Sequence, residues 1–443
     1  MMSYEQRQQH LAQALRNNAG RDIRLSKQTS NLFRNRSTQD QLLDAREFNH
    51  ILAIDPDTHV IETEGMVTYE ALVDASVHQG LMPAVVPQLK SITIGGAVGG
   101  IGIESSSFRY GLPHETVLEM DVLLGTGEVI CCTPNNEHRD LFFGLANSYG
   151  TLGYILRLKI QGIPVKPYVR MTHVRCADPQ EFFDRVNKAC QGSFDFVDGV
   201  VFAPGEYYLV LGEFTDDAPY TSDYSYLQMF YRSIRARSED YLSVRDYLWR
   251  WDTDWFWCSK NLYAQNRLIR RLLGRKRLNS ITYQRVMRWN SRVGLTRRLG
   301  TLSRRHREAV IQDVDIPLEN APAFLSFFQR EIGIRPIWIC PARHDGRRGH
   351  YPLFPMRDDT LYINFGFWDA VRTDPMHPQG HFNRMIEEKV TDLGGIKSLY
   401  SESFYPQKEF WELYGGNTCR LLKDRYDPDH TLKDLYQKCV LRQ

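Results

Sequence analysis

An α+β fold is predicted, and three observations predict it. Short apolar strands and helices follow one another without the regular alternation that builds a doubly wound parallel sheet. The glycine-rich stretch Ile92 to Gly111 offers only Gly100-Ile-Gly102-Ile-Glu-Ser105 as an approach to GxGxxG, with serine in the third glycine's place and no helical pattern opening after it. No internal repeat, low-complexity tract or GKS/T phosphate loop is present.

The elements follow in order. Met1 to Arg24 is polar with a helical pattern, and Arg24 to Arg36 is basic and rich in Ser and Asn. Ala45 to Glu64 reads as strand, turn, strand about Asp55-Pro-Asp57. Tyr69 to Gln79 is a helix closed by Gly80. After the apolar run Leu81 to Gln88 and the glycine loop, Thr116 to Leu124 and Glu128 to Thr133 pair around Gly125-Thr-Gly127. Asp140 to Ala146 is a short helix. Gly150-Thr-Leu-Gly153 leads into an alternating strand, Tyr154 to Ile163, and Pro164 and Pro167 mark a boundary. Phe182 to Leu211 mixes a helix with strands. Asp313 to Phe328 is a strand followed by a helix, Ile337 to Cys340 and Leu361 to Phe367 are strands, and Phe382 to Leu393 is a helix. Ser398 to Tyr405 is a strand running into a loop, and Lys408 to Leu441 is mostly helical.

The 443 residues suffice for two or three domains of roughly 150 residues. No apolar run approaches the roughly 18 residues of a membrane span, and the start lacks the apolar core of a secretory signal. A cytoplasmic protein, peripheral on a membrane at most, is expected. Eight cysteines without a CxxC pair argue for reduced thiols and against a zinc site; no metal is expected.

Five glycines lie between Gly95 and Gly102. Glycine is costly to order, so this density implies that backbone must approach something closely. Its N–H groups can cradle a diphosphate. Four further motifs stand in one order: Thr93-Ile-Gly-Gly96, Leu123-Leu-Gly-Thr-Gly-Glu128, Asp140-Leu-Phe-Phe-Gly-Leu145 and Gly150-Thr-Leu-Gly-Tyr-Ile155. The series resembles the FAD domain of the vanillyl-alcohol-oxidase, or PCMH-type, flavoprotein superfamily. Gly102-Ile-Glu-Ser-Ser-Ser107 followed by Tyr110-Gly111 is similar to the delta(24)-sterol reductase (seladin-like) branch. So are Arg335-Pro-Ile-Trp-Ile-Cys-Pro341, Leu361-Tyr-Ile-Asn-Phe-Gly366, Leu399-Tyr-Ser-Glu-Ser403 and Glu409-Phe-Trp-Glu-Leu413.

That resemblance implies a PCMH-type FAD-binding domain of two subdomains over residues 1–165 and an α+β cap over 166–397. The cap would carry a basic, aromatic helical insert at 245–307, and residues 398–443 would return to the flavin domain. The flavin would lie against Ile92, Thr93, Ile94, Gly95, Gly96, Ala97, Gly99, Gly100, Gly102, Glu104, Ser105, Ser106 and Ser107, with Gly150, Gly153 and Ile155 approaching it by backbone. The resemblance places Leu25 to Arg34 where relatives have a first pyrophosphate loop, with Lys27, Ser30 and Asn31 as its polar groups. Relatives often hold flavin covalently through a nearby His or Cys. Gln79 to Pro113 contains neither, so non-covalent FAD is expected. Catalytic candidates implied in the same way are Gln312, Asp313, Tyr400, Glu402 and Tyr405. Ser401 stands where decaprenylphosphoryl-ribose oxidases carry a lysine. The implied activity is reduction of a carbon–carbon double bond in an apolar, sterol- or isoprenoid-like substrate by NAD(P)H. An alcohol dehydrogenase or oxidase is the alternative, and a flavin-binding, membrane-associated protein without turnover is a third.

Net charge is +2, yet Arg245 to Arg307 holds 17 Lys and Arg against 3 Asp, or +14, leaving −12 elsewhere. Tyr247 to Trp257 contains four tryptophans. Leu262, Leu268, Ile269, Leu272 and Leu273 then fall on one helical face, with Arg267, Arg270, Arg271 and Arg275 opposite. An anionic membrane surface and a solvated face balancing the acidic remainder both fit this pattern. Nucleic acid lacks an accompanying motif and is not expected as a partner. His344, His350, His377 and His381, in a Gly/Pro-rich stretch, read as solvated loop residues.

Overall fold

The alternation of Tyr154 to Ile163 puts one face of a strand in the core, and that strand centres the first sheet. In the computed structural model, Tyr154–Pro164 pairs antiparallel with Val60–Glu64 on one side and Val117–Leu123 on the other. Ile51–Asp55 and Val129–Cys132 extend the edges, and Leu81–Pro83 completes six strands. The residues described are 2–17, 23–26, 33, 41–293, 306–374 and 376–442. Lys27, Ser30, Asn31 and positions 294–305 of the basic insert lie outside them.

After Pro164 the chain leaves this sheet and at Tyr168 enters a second one. It has eight antiparallel strands, ordered Glu239–Ser243, Tyr168–Cys176, Glu206–Thr215, Phe196–Ala203, Ile337–Arg343, Leu361–Thr373, His306–Pro317 and Ile396–Lys397. Helices Pro179–Cys190, Ala321–Phe327 and His381–Asp392 cover one face, burying Phe182, Phe324 and Ile386 against Val314, Phe365 and Phe367. The fold is α+β, with a PCMH-type FAD-binding portion. Helix Tyr4–Arg16 begins at a capping box of Ser3 and Gln6 and buries Leu11, Ala12 and Leu15. All eight cysteines are free thiols. Among the described residues no helix is long and apolar enough to cross a membrane.

Five local readings change. Ile94–Val98 of the glycine run is helical, and its glycines let the helix lie flush on the neighbouring backbone. A Cβ on Gly95 would stand 2.9 Å from the Gly65 carbonyl oxygen. Ser398 to Tyr405 is not a strand: pairing ends at Lys397, and among the described residues only Ser401 bridges, to Phe33. The four tryptophans Trp249, Trp251, Trp255 and Trp257 are buried core rather than surface. His344 is buried and paired with Glu115 Oε2 at 2.8 Å.

The fifth is helix Arg267–Leu273, which is turned relative to its sequence pattern. Arg270 points inward and Leu268 and Leu272 point outward. The cause is Asp254, a carboxylate buried in the aromatic turn; an unpaired buried charge is costly, and Arg270 Nη1 donates to Asp254 Oδ1 at 2.6 Å.

Candidate functional site

The glycine loop and the Gly150 element meet. Tyr149 donates its backbone N–H to the Gly99 carbonyl at 2.7 Å, and Gly95 donates to Gly65 at 3.0 Å. A Cβ on Gly100 would approach the Gly96 carbonyl to 2.8 Å and the Tyr149 ring to 3.0 Å. Left-handed backbone clusters here at Ile101, Asn147, Tyr149 and Gly150. Such conformations are costly outside glycine and persist where the surroundings enforce them. The Asn147 side chain supplies one restraint, donating to the Leu353 carbonyl at 2.6 Å. Ile92, Gly95, Gly96, Gly102, Tyr149 and Gly150 keep part of their surface open, while Thr93, Ile94, Ala97, Gly99, Gly100, Gly153 and Ile155 are buried behind them.

The Glu-Ser-Ser-Ser run turns away from this cradle. Ser106 Oγ donates to the Ala84 carbonyl at 2.8 Å, Ser107 Oγ accepts from Glu104 N at 3.1 Å, and Ser105 Oγ donates to Glu104 Oε1 at 2.6 Å. Glu104 itself is buried beside Arg250, whose Nη2 also reaches Asp198 Oδ2 at 2.9 Å. These four residues join the loop to the second sheet, and their side-chain partners are protein groups.

In the second sheet, strand His306–Pro317 presents Asp313 opposite Gly366. The absence of a side chain at Gly366 makes room for both the carboxyl and the Trp368 ring: a Cβ there would lie 2.7 Å from Asp313 Oδ1 and 2.6 Å from Trp368. Trp368 Nε1 donates to Tyr400 Oη at 2.8 Å, and the Tyr400 hydroxyl and the Asp313 carboxyl lie close enough to influence each other's ionisation. Burial pushes Asp313 up to about 7, with the neighbouring Tyr400 hydroxyl partly opposing it. Burial, then the Asp313 charge, hold the Tyr400 hydroxyl well above its ordinary range, so it remains protonated at neutral pH. Two residues along the strand Asp315 is pushed up to about 8 by burial and by Asp313, and Asn364 Nδ2 donates to its Oδ1 at 3.3 Å.

The structure therefore brings Asp313 and Tyr400 together. Gln312 lies on the opposite face of the strand, donating to Asn383 Oδ1 at 2.6 Å beneath helix His381–Asp392. Side chains alternate along a strand, so Gln312 and Asp313 cannot share a face. Glu402 pairs with Arg442 at 2.9 Å. Tyr405 packs in the core against Tyr414, with ring centroids 6.0 Å apart. Sequence reasoning missed Asp315, Trp368 and Tyr149. The i, i+2 spacing of Asp313 and Asp315 in a strand was the available signal for the first.

An aromatic wall borders Tyr400. Phe33 packs edge-on against it at 5.7 Å and stacks on Trp255 at 5.8 Å; Phe256 lies 4.6 Å from Trp368. Trp255, Phe256 and Trp257 have φ of +46°, +47° and +59°, three left-handed bulky residues in succession. Each such residue costs roughly 1–2 kcal/mol; the turn is retained where it packs this wall.

Tyr149, whose ring packs on Gly100, also lies near enough to Tyr400 to raise its hydroxyl further, which links the glycine cradle to the tyrosine–carboxyl pair. The family model described as an FAD binding domain matches residues 5–133. The chain is an FAD-dependent oxidoreductase. It is similar along most of its length to delta(24)-sterol reductases: 26% identity to that of Homo sapiens over 402 residues, 88% of this chain and 75% of the relative. Identity to that of Arabidopsis thaliana is 25% over 435 residues, 89% and 76% of the two chains. Cytokinin dehydrogenase 7 of Oryza sativa subsp. japonica is 30% identical over 146 residues, 32% of this chain and 28% of its own.

The residues fit FAD. Beyond the close-packed glycines, Asp313 Oδ1, Ser398 Oγ and Ser401 Oγ are buried without a hydrogen-bond partner. Buried polar groups are ordinarily satisfied, and all three lie on the segments that carry Asp313 and Tyr400.

Proposed function

We propose that the chain reduces a carbon–carbon double bond in an apolar, sterol- or isoprenoid-like substrate at the expense of NAD(P)H. FAD held non-covalently against Gly95 to Gly102 and Tyr149 to Ile155 would supply the two-electron carrier that accepts a hydride and passes it to one carbon of the double bond. Tyr400 holds the proton for the neighbouring carbon. Its hydroxyl stays protonated at neutral pH and is aimed by Trp368 Nε1. Asp313, uncharged below about 7, is the group through which the proton is replaced. Phe33, Trp255 and Phe256 exclude water and favour an apolar ligand. On this reading residues 1–165 and 398–443 hold the cofactor, and 166–397 faces the substrate.

The observation that carries the reading is the Tyr400–Asp313 pair, linked to the glycine cradle through Tyr149; the names of the relatives supply the substrate class. Incubation with NADPH and a sterol bearing a side-chain double bond, followed by mass spectrometry, tests it. The expected product has gained two hydrogens, and Tyr400→Phe lowers the rate by about 10²–10⁴-fold, the usual worth of a general acid, with flavin retained. Oxidation of an alcohol without any saturated product would select the dehydrogenase alternative. Acid precipitation should release the flavin to the supernatant; a yellow pellet would contradict non-covalent binding.

A further inference from the structure

We propose that the outer face of helix Arg267–Leu273 and the turn that follows it form a docking surface for an anionic lipid membrane. The rotation of this helix by the buried Arg270–Asp254 pair is what creates the surface. Leu268 is 66% exposed and Leu272, one turn on, 83%; Tyr263, just before the helix, is 77% exposed. Isolated exposed leucines are ordinary, but these stand among cations. Arg267, Arg271, Arg275, Lys276 and Arg277 are all exposed. Arg275 pairs with Asp223 at 2.7 Å. Among the described residues no acidic side chain forms an ion pair with Arg267, Arg271, Lys276 or Arg277.

Apolar side chains projecting between uncompensated cations match the interface of an anionic bilayer. There the leucines enter the acyl boundary while the cations remain among the phosphates. A second copy of the chain fits poorly. A two-fold interface places a patch against itself, and here that sets cations against cations. Nucleic acid would meet the charges but gives the protruding leucines no apolar phase. The helix also has a place in the fold that suits the role. Its last residue Leu273, with Leu262 ahead of the helix, packs on the cluster containing Trp255 and Phe33, the aromatic wall bordering Tyr400. A bilayer seated on the outer face would therefore lie one layer of side chains from the candidate substrate site.

Flotation of the purified full chain with vesicles tests this without turnover. The expected result is recovery with phosphatidylcholine vesicles containing phosphatidylserine, and little with phosphatidylcholine alone. Neutralising two cations, Arg271→Gln with Lys276→Gln, lowers binding about 25-fold, since each basic residue near an anionic surface contributes about five-fold. Leu272→Asp lowers it about ten-fold or more, and added salt weakens it. Flavin absorbance and an unchanged melting curve show that each variant is folded. No recovery with anionic vesicles overturns the proposal. So does binding that survives Leu272→Asp, or a dimer in solution that Leu272→Asp dissolves.

Discussion

Replacing Arg250 by methionine should destabilise the protein more than any change of similar size at its surface. The guanidinium is completely enclosed. It lies 2.9 Å from Asp198 Oδ2 and 3.4 Å from Glu104 Oε1, donates to the Tyr247 carbonyl at 3.0 Å, and sits 4.0 Å above the Tyr247 ring. Methionine preserves much of the aliphatic packing and removes the charge. Glu104 then keeps only the Gln88 and Ser105 donors, and Asp198 only Trp338 Nε1. Breaking a buried ion pair by removing one partner costs about 3–5 kcal/mol, and that loss is expected in the denaturant midpoint near neutral pH. Burial already raises the Glu104 carboxyl, with Arg250 the largest opposing influence; without Arg250 it rises further. A raised carboxyl stabilises the fold at low pH and loses that contribution as pH climbs through its folded value. The deficit should therefore shrink toward pH 5 and grow toward pH 8, and Glu104→Gln in the same chain should recover part of it. Because Glu104 continues directly from the glycine loop, flavin occupancy falls in parallel. A loss below about 1 kcal/mol, or one indifferent to pH, would show that Arg250 serves as packing alone rather than as the shared counter-ion.

Two further outcomes follow from the site. Asp313→Asn removes a carboxyl whose ionisation is pushed up to about 7. The wild-type contribution is complete below the ordinary carboxylate range and lost as pH rises through about 7, so melting temperature should fall across that window and the variant should flatten the curve; an unchanged slope counts against Asp313 titrating there. Gly100→Val drives a side chain into the Gly96 carbonyl and the Tyr149 ring. It should yield folded protein with little flavin, measured by absorbance after gel filtration, and full occupancy would contradict the cradle.

The parts of the fold legible in the sequence are those governed by local periodicity. Tyr154 to Ile163 alternates because one face meets the core, and Asp55 to Asp57 turns because Pro and Asp favour it. The meeting of the glycine loop with Gly150 followed from motif order. What was not legible depended on partners distant in the chain. Gln312 and Asp313 look equivalent as neighbours, and only the sheet decides which of them faces Tyr400. Arg267 to Arg275 show a clean amphipathic pattern, yet the buried Asp254 overrides it and draws Arg270 inward. The serines at 105–107 resemble phosphate donors until their protein partners are seen. The tryptophans of 249–257 carry no label in sequence that separates a surface belt from a core.

Anaerobic titration of the purified, flavin-loaded protein with NADPH, followed by its visible spectrum, separates the reductase from the alcohol dehydrogenase. The expected result is rapid bleaching of the yellow absorbance by NADPH and its return when an apolar alkene substrate is added. Absorbance that NADPH leaves unchanged but an alcohol bleaches would contradict it.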